Sequence, residues 1–250
     1  SVATKVGRDG ALYPDGYTKD KVRANIEGSA RRLGVDCIDL IQLHCVPLDV
    51  LKSGELLGWL DDFRRQGLIR AYGASVETIE EALFAARHPG LASLQIIFNL
   101  FRQNAIEELF PVATANDVGI IVRLPLASGV LSGKMSLDQV FAESDHRNYN
   151  RNGEFFSQGE TFSGVPFGQA IDFVDEMKSW VPEGMSMAQM AMRWLLDQPA
   201  VSTVITGASR PEQVLENAAV SDLEPLAHEL HAKLAKIYHE RIEPTIVVPI

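Results

Sequence analysis

Short apolar runs alternate along this chain with longer stretches whose apolar residues recur every three or four positions. The runs Val2–Val6, Cys37–Leu43, Ile69–Ala74, Leu94–Phe98, Gly119–Arg123 and Ser202–Thr206 predict six strands. The amphipathic stretches between them, Thr18–Leu33, Ser53–Gln66, Glu77–Arg87 and Ile106–Asn116, predict helices. Two more helices, about Phe167–Trp180 and Ser186–Leu196, separate the last two strands, and Ser186 and Gln189 have the spacing of a capping box. The tail predicts helices at Pro211–Ala218 and about Pro225–Glu240. Strands that alternate with helices imply parallel pairing through right-handed crossovers. No composition break marks a boundary, so residues 1–250 are expected to form a single domain.

The strand count shapes the expectation. A closed (β/α)8 barrel needs eight strands, and six are visible. The chain also opens inside a strand, and an open sheet edge there is a pairing hazard. The expectation is therefore a barrel lacking two β/α units, roughly 60 residues, ahead of Ser1. A doubly wound open sheet is the alternative, although no GxGxxG opens a first β/α turn.

Bulk composition narrows the partners. Hydrophobic residues make up 46% of the 250, enough for a sizeable core. The net charge of −10 repels nucleic acid and anionic membranes, so an anionic cofactor needs a local basic pocket. No window has the uninterrupted apolar length of a membrane span. The two cysteines, Cys37 and Cys45, sit on or beside one apolar run, which suggests a reducing, cytoplasmic setting.

The segment VSTVITGASRPEQVLEN, Val201 to Asn217, carries the clearest chemistry. A glycine turn, the Ser209 hydroxyl, the Arg210 guanidinium and a helix opening at Pro211 together suit a phosphate. An ordinary strand–loop–helix joint with a surface arginine is the competing reading. Lys5 and His44 end successive apolar strands, where barrel enzymes place catalytic groups. A lysine there tunes a neighbouring proton donor, and a histidine hydrogen-bonds a carbonyl oxygen. Each is also compatible with a simple solvated or hydrogen-bonded strand end. Ser75 closes the next strand. Gln95 and Asn99, four apart, share a face of an ideal strand and suit a carboxamide, or else satisfy each other or nearby backbone. The loop Leu124–Gly133 and the polar, glycine-rich Ser144–Gly168, with His146, Arg147, Tyr149 and Arg151, are long enough to form a lid.

ATKVG with Lys5, DLIQLHCVP with His44, IRAYGAS with Ser75, LQIIFNLF with Gln95, VRLPLASGVLSGK and ITGASRPEQVLEN follow one another at barrel-like spacing. With these motifs the chain resembles the aldo-keto reductases, NADPH-dependent oxidoreductases on a (β/α)8 TIM barrel, over nearly its whole length. The resemblance makes the six segments strands 3 to 8. It implies NADP(H) as cofactor and a small-molecule carbonyl as substrate. It implies that Lys5 and His44 are two members of a catalytic Asp-Tyr-Lys-His tetrad. Ser75 and Gln95 would hold the nicotinamide carboxamide. Leu124, Leu126, Ser128, Gly129, Leu131 and Lys134 would lie along the pyrophosphate. Gly207, Ser209 and Arg210 would take the 2′-phosphate end, and Gln213, Glu216 and Asn217 would surround the adenosine.

The chain departs from that pattern in four places. The tetrad's Asp and Tyr belong ahead of the Lys5 position and are not in this sequence. Tyr13 and Tyr17 lie after Lys5, where the tyrosine does not belong. Val76 stands where many members have asparagine. Arg123 stands where an aromatic ring stacks on the nicotinamide, and its guanidinium plane adds charge there.

Three functions compete. The first is hydride transfer from NADPH to an aldehyde or ketone, with a tyrosine outside this chain giving the proton. The second is a non-catalytic NADP(H)-binding module that senses redox state. The third is Schiff-base aldolase chemistry at Lys5. His228, His231 and His239 do not form HExxH and are expected on a solvated helix face. Trp59, Trp180 and the methionines around Trp194 are expected in the core. Cys45 is expected to point away from the face that carries His44.

Overall fold

β-branched and aliphatic residues in short runs favour a pleated chain, and here they form six strands of one parallel sheet. In a computed structural model that describes residues 1–155 and 157–249, these are β1 (Ala3–Val6), β2 (Ile38–His44), β3 (Ile69–Ser75), β4 (Ser93–Ile97), β5 (Gly119–Arg123) and β6 (Val201–Val204). They follow one another in one sheet, in the order of the chain, as consecutive strands of a (β/α)8 barrel do.

The helices are α1 (Lys19–Leu33), α2 (Leu48–Lys52), α3 (Glu55–Arg65), α4 (Ile79–Ala86), α5 (Ala105–Glu108), α6 (Phe110–Ala115), α7 (His146–Tyr149), α8 (Phe167–Lys178), α9 (Met187–Leu196), α10 (Pro211–Ala219) and α11 (His228–Ile237). Their ends follow local chemistry. Thr18 caps α1, and Gly34 closes it in the left-handed conformation that glycine adopts without penalty. The Ser186/Gln189 capping box is present on α9, and Thr78 with Glu81 forms another on α4. Two expectations need correction. The helix expected over Ile106–Asn116 is two pieces, because Pro111 suits the start of α6 rather than a helix interior. The helix expected over Pro225–Glu240 begins at His228 and ends in a π-helical turn, Tyr238–Ile242.

The chain groups into two compact units, Ser1–Ile96 with Glu107–Ile120, and Ile97–Ile106 with Ile121–Ile250. In the first, Val22 and Ile26 of α1 and Leu56, Leu57, Leu60 and Phe63 of α3 are buried, and these helices pack on β1 and β3. The core of the second includes Trp194 stacked on Phe98, ring centroids 5.1 Å apart. Trp59 and Trp180, expected in the core, are only half-buried, and Lys233 caps the Trp180 ring at 4.1 Å.

A buried carboxylate ties the C-terminal helices. Asp197, just after α9, accepts from Arg193 (2.8 Å), from the Leu226 amide (3.0 Å) and contacts His231 Nε2 (2.9 Å). His231 therefore does not lie on a merely solvated face. Its position three residues into α11 gave no sign of a partner 34 residues away.

Candidate functional site

In a parallel sheet, residues side by side in register point the same way, and alternate residues share a face. The register pairs Lys5 with Gln42, Gln42 with Gly73, Gly73 with Ser93, His44 with Ser75 and Ser75 with Gln95. Lys5, Gln42, His44, Gly73, Ser75, Ser93 and Gln95 thus occupy one face of β1–β4. The opposite face carries Val6, Ile41, Leu43, Tyr72, Ala74 and Leu94, all buried. The strand-end residues singled out in the sequence therefore belong to a single polar row.

The row is dry. Gln42 is 1% exposed, Ser75 2% and Gln95 4%. Gln95 Nε2 donates to Gln42 Oε1 at 2.9 Å, and Gln42 Nε2 donates to Ser93 Oγ at 3.2 Å. Buried amides remain stable only when so paired. Lys5 and His44 are half-buried, and Lys5 makes no hydrogen bond or ion pair among the described residues. Cys45 departs from expectation. Alternation ends with β2, the Cys45 backbone is left-handed (φ 45°), and its thiol comes 3.9 Å from Ser75 Oγ. Gln42 was missed in the sequence because a lone glutamine in DLIQLH looks like an interruption of an apolar run.

Tyr17 donates its hydroxyl to the Gly7 carbonyl at 2.8 Å. Burial, then the neighbouring Tyr13, pushes its pKa up to about 12, against a smaller lowering by Arg8. A proton donor needs the opposite shift.

The Leu124–Gly133 loop and the 207–217 turn lie in the second unit. A cavity of ≈ 390 Å³ is lined by Leu126, Lys134, Gly207, Gln213, Glu216 and Asn217, with Ser132, Ser186, Ala188, Gln189 and Met192. A neighbouring one of ≈ 300 Å³ takes Leu124, Leu126, Ser128, Gly129, Gly207 and Asn217. Leu131 is fully buried and lines neither. At the start of α10 three donors, Ser209 N (2.7 Å), Ser209 Oγ (3.1 Å) and Arg210 N (3.2 Å), converge on one oxygen, Gln213 Oε1. Asn217 Nδ2 donates to the Gly207 carbonyl at 3.3 Å.

The 144–164 segment, Phe156 lying outside the described residues, fastens onto the 124–133 loop. Arg123 Nη1 meets Glu160 at 2.5 Å. Ser128 Oγ donates to the Glu160 carbonyl (3.0 Å) and accepts from Phe162 N (3.2 Å), and Arg147 donates to the Ser128 carbonyl (3.3 Å). Asn99 donates to both the Leu124 carbonyl and Ser163 Oγ, at 2.9 and 2.8 Å. It lies beyond the end of β4, so the ideal-strand pairing with Gln95 does not extend to it. Leu124, Ala127, Ser128, Phe162 and Ser163 have positive φ, a costly backbone for residues with side chains. Hydrogen bonding from Arg147 holds Asp145 down to about 2, opposed by burial. Among the described residues no group of three or more His, Cys, Asp or Glu is placed to hold a metal ion, and no helix is long and apolar enough to cross a membrane.

Known proteins resemble this chain in sequence and in fold. The chain is 30% identical over 201 residues to the aldo-keto reductase YhdN of Bacillus subtilis (strain 168), covering 78% of this chain and 56% of that protein. It is 26% identical over 229 residues to the NADH-specific methylglyoxal reductase of Escherichia coli (strain K12), covering 89% and 65%. It thus spans about 56–65% of the length of these relatives. The structure of a glycerol dehydrogenase from Gluconobacter oxydans superposes with a TM-score of 0.71 at 29% identity, over 93% of this chain and 66% of that one. The profile of the aldo/keto reductase family matches residues 1–239, and the chain belongs to that family.

Proposed function

We propose that this chain serves an NADP(H)-dependent oxidoreductase that reduces an aldehyde or ketone to an alcohol. The observation that carries this reading is the single polar face shared by Lys5, His44, Ser75 and Gln95. The donor set suits the cofactor at both ends. Buried Ser75 and Gln95 offer a hydroxyl and an amide, the complement of a carboxamide. The turn at Ser209–Arg210 already aims three donors at one oxygen, as a phosphate requires.

When bound, the reduced nicotinamide supplies the hydride. His44 hydrogen-bonds the substrate carbonyl oxygen and orients it. The Lys5 ammonium lowers the pKa of the proton donor, a tyrosine that the family resemblance assigns to the sequence ahead of Lys5. Tyr17 does not replace it, since its hydroxyl is engaged with Gly7 and its pKa is raised. Ser75 and Gln95 hold the carboxamide, Lys134 and the 124–133 loop hold the pyrophosphate, and Arg210 holds the 2′-phosphate. Selectivity for NADP(H) over NAD(H) rests on Arg210. In calorimetric titration, Arg210→Ala weakens NADPH by about 1–3 kcal/mol and NADH much less. Equal losses for both would remove the 2′-phosphate assignment. Failure of the wild-type protein to bind either nucleotide would remove the whole reading.

A further inference from the structure

Gln42 has no role in the reading above, yet it is the most completely buried amide on the polar face. We propose that Gln42 is a positioning residue that sets the polarity of the Gln95 carboxamide, so that Gln95 meets the nicotinamide end of the cofactor with an acceptor. The inference rests on the proposed cofactor reading and adds a residue to it.

The geometry is a short hydrogen-bonded ladder that passes over one strand. Gln42 is on β2, and Ser93 and Gln95 are on β4, yet their side chains are directly bonded, at 3.2 and 2.9 Å. The strand between them, β3, presents Gly73 at that level. A Cβ on Gly73 would stand 2.4 Å from both Ser93 O and Ser93 Oγ, so the bare glycine is what lets the amide reach across. The Val76 amide donates to the Gln95 carbonyl at 3.0 Å, which fixes the backbone from which the Gln95 side chain departs.

A primary amide has two chemically opposite ends, and an unrestrained one offers either. Gln42 Nε2 donates to Ser93 Oγ, and Gln42 Oε1 accepts from the Gln95 NH2. Gln95 Oε1 then remains, with no hydrogen-bond partner among the described residues. An apolar side chain at position 42 would pack on this face without the desolvation of an amide. An acceptor presented by Gln95 pairs with the amino group of a carboxamide and so selects one orientation of the attached ring.

The test compares two probes on the purified full chain by calorimetry, NADP+ and adenosine 2′,5′-bisphosphate, which lacks the nicotinamide. Gln42→Met is expected to weaken NADP+ about tenfold and the bisphosphate less than about twofold. Gln42→Glu keeps an acceptor for Gln95 Nε2, accepts a hydrogen bond from the Ser93 hydroxyl and has Lys5 beside it in register, so NADP+ affinity recovers to within about threefold of wild type. NADPH fluorescence, which reports the surroundings of the ring, shifts in the Met variant and returns in the Glu variant. Equal loss of both probes, no loss of NADP+, or Glu behaving as Met would overturn the inference. Should Gln42→Met fail to fold, Ser93→Ala removes only a hydroxyl and is judged by the same ratio, with a selective NADP+ loss of about threefold expected. If the wild type binds neither probe, the cofactor reading fails as well, and that outcome is distinct from the others.

Discussion

On β2–β4 the polar atoms of Gln42, Ser75, Ser93 and Gln95 carry no charge, are nearly sealed from solvent and sit on strands. Between Arg123 and Gly164 the polar atoms are largely charged, partly exposed and held by loops with left-handed backbone at Leu124, Ala127, Ser128, Phe162 and Ser163. The first region is held by amide hydrogen bonds that run from Gln95 to Gln42 to Ser93 across the sheet. The second is held by ion pairs and by backbone that carries a conformational penalty. The contrast teaches two ways of holding polar groups in this chain: neutral partners paired across strands, and charged partners paired between loops.

That contrast can be broken or sharpened by mutation. The largest effect is expected for a control in the core. Trp194→Ala removes a fully buried ring stacked on Phe98 and should lower stability by about 3–5 kcal/mol in urea or guanidinium unfolding. A loss below about 1 kcal/mol would mean that the second unit is not packed around this ring. Gly73→Ala attacks the strand region. With no room beside Ser93 it should cost about 1–3 kcal/mol and disturb the NADP+-to-bisphosphate affinity ratio in the same sense as Gln42→Met. An unchanged ratio would separate the glycine from the amide ladder. Glu160→Gln attacks the loop region by removing the carboxylate beside a mostly buried Arg123. About 1–2 kcal/mol of local stability is lost, read as faster proteolytic cutting within 144–164 while global unfolding hardly moves. A matching fall in global stability would show that the loop is part of the core. The smallest effect is in pH. Asp145 has its folded pKa depressed to about 2 from an ordinary value of 3.8, so its contribution is complete above the ordinary value and is lost as pH falls toward 2. Amide exchange at residues 146–150, corrected for intrinsic rates, should speed up over that window, whereas the amides of β2–β4 should not. Identical behaviour in both regions would erase the distinction.

The two regions also differ in how far they were legible. The strands were readable because apolar alternation and helix caps are local signals, and the Ser186/Gln189 box needed only three residues of spacing. Lys5, His44, Ser75 and Gln95 could be marked one by one at strand ends, but their common face required the register between strands. Gln42 was invisible for the same reason, since its meaning depends on a glycine 31 positions on and on two residues of β4. The loop length marked the 144–164 segment as long, while its fastenings did not show. Arg123 and Glu160 are 37 residues apart, and no local pattern pairs them. The Gln213 side chain gathering Ser209 and Arg210 was equally hidden, although the turn itself was plain.

The carboxylate of Asp197 has a consequence for how this protein comes apart. One side chain fastens the end of α9 to the amide of Leu226 and to the first turn of α11, so these three pieces are coupled in unfolding. The segment from Leu226 through α11 is thereby recruited into the same cooperative event as α9.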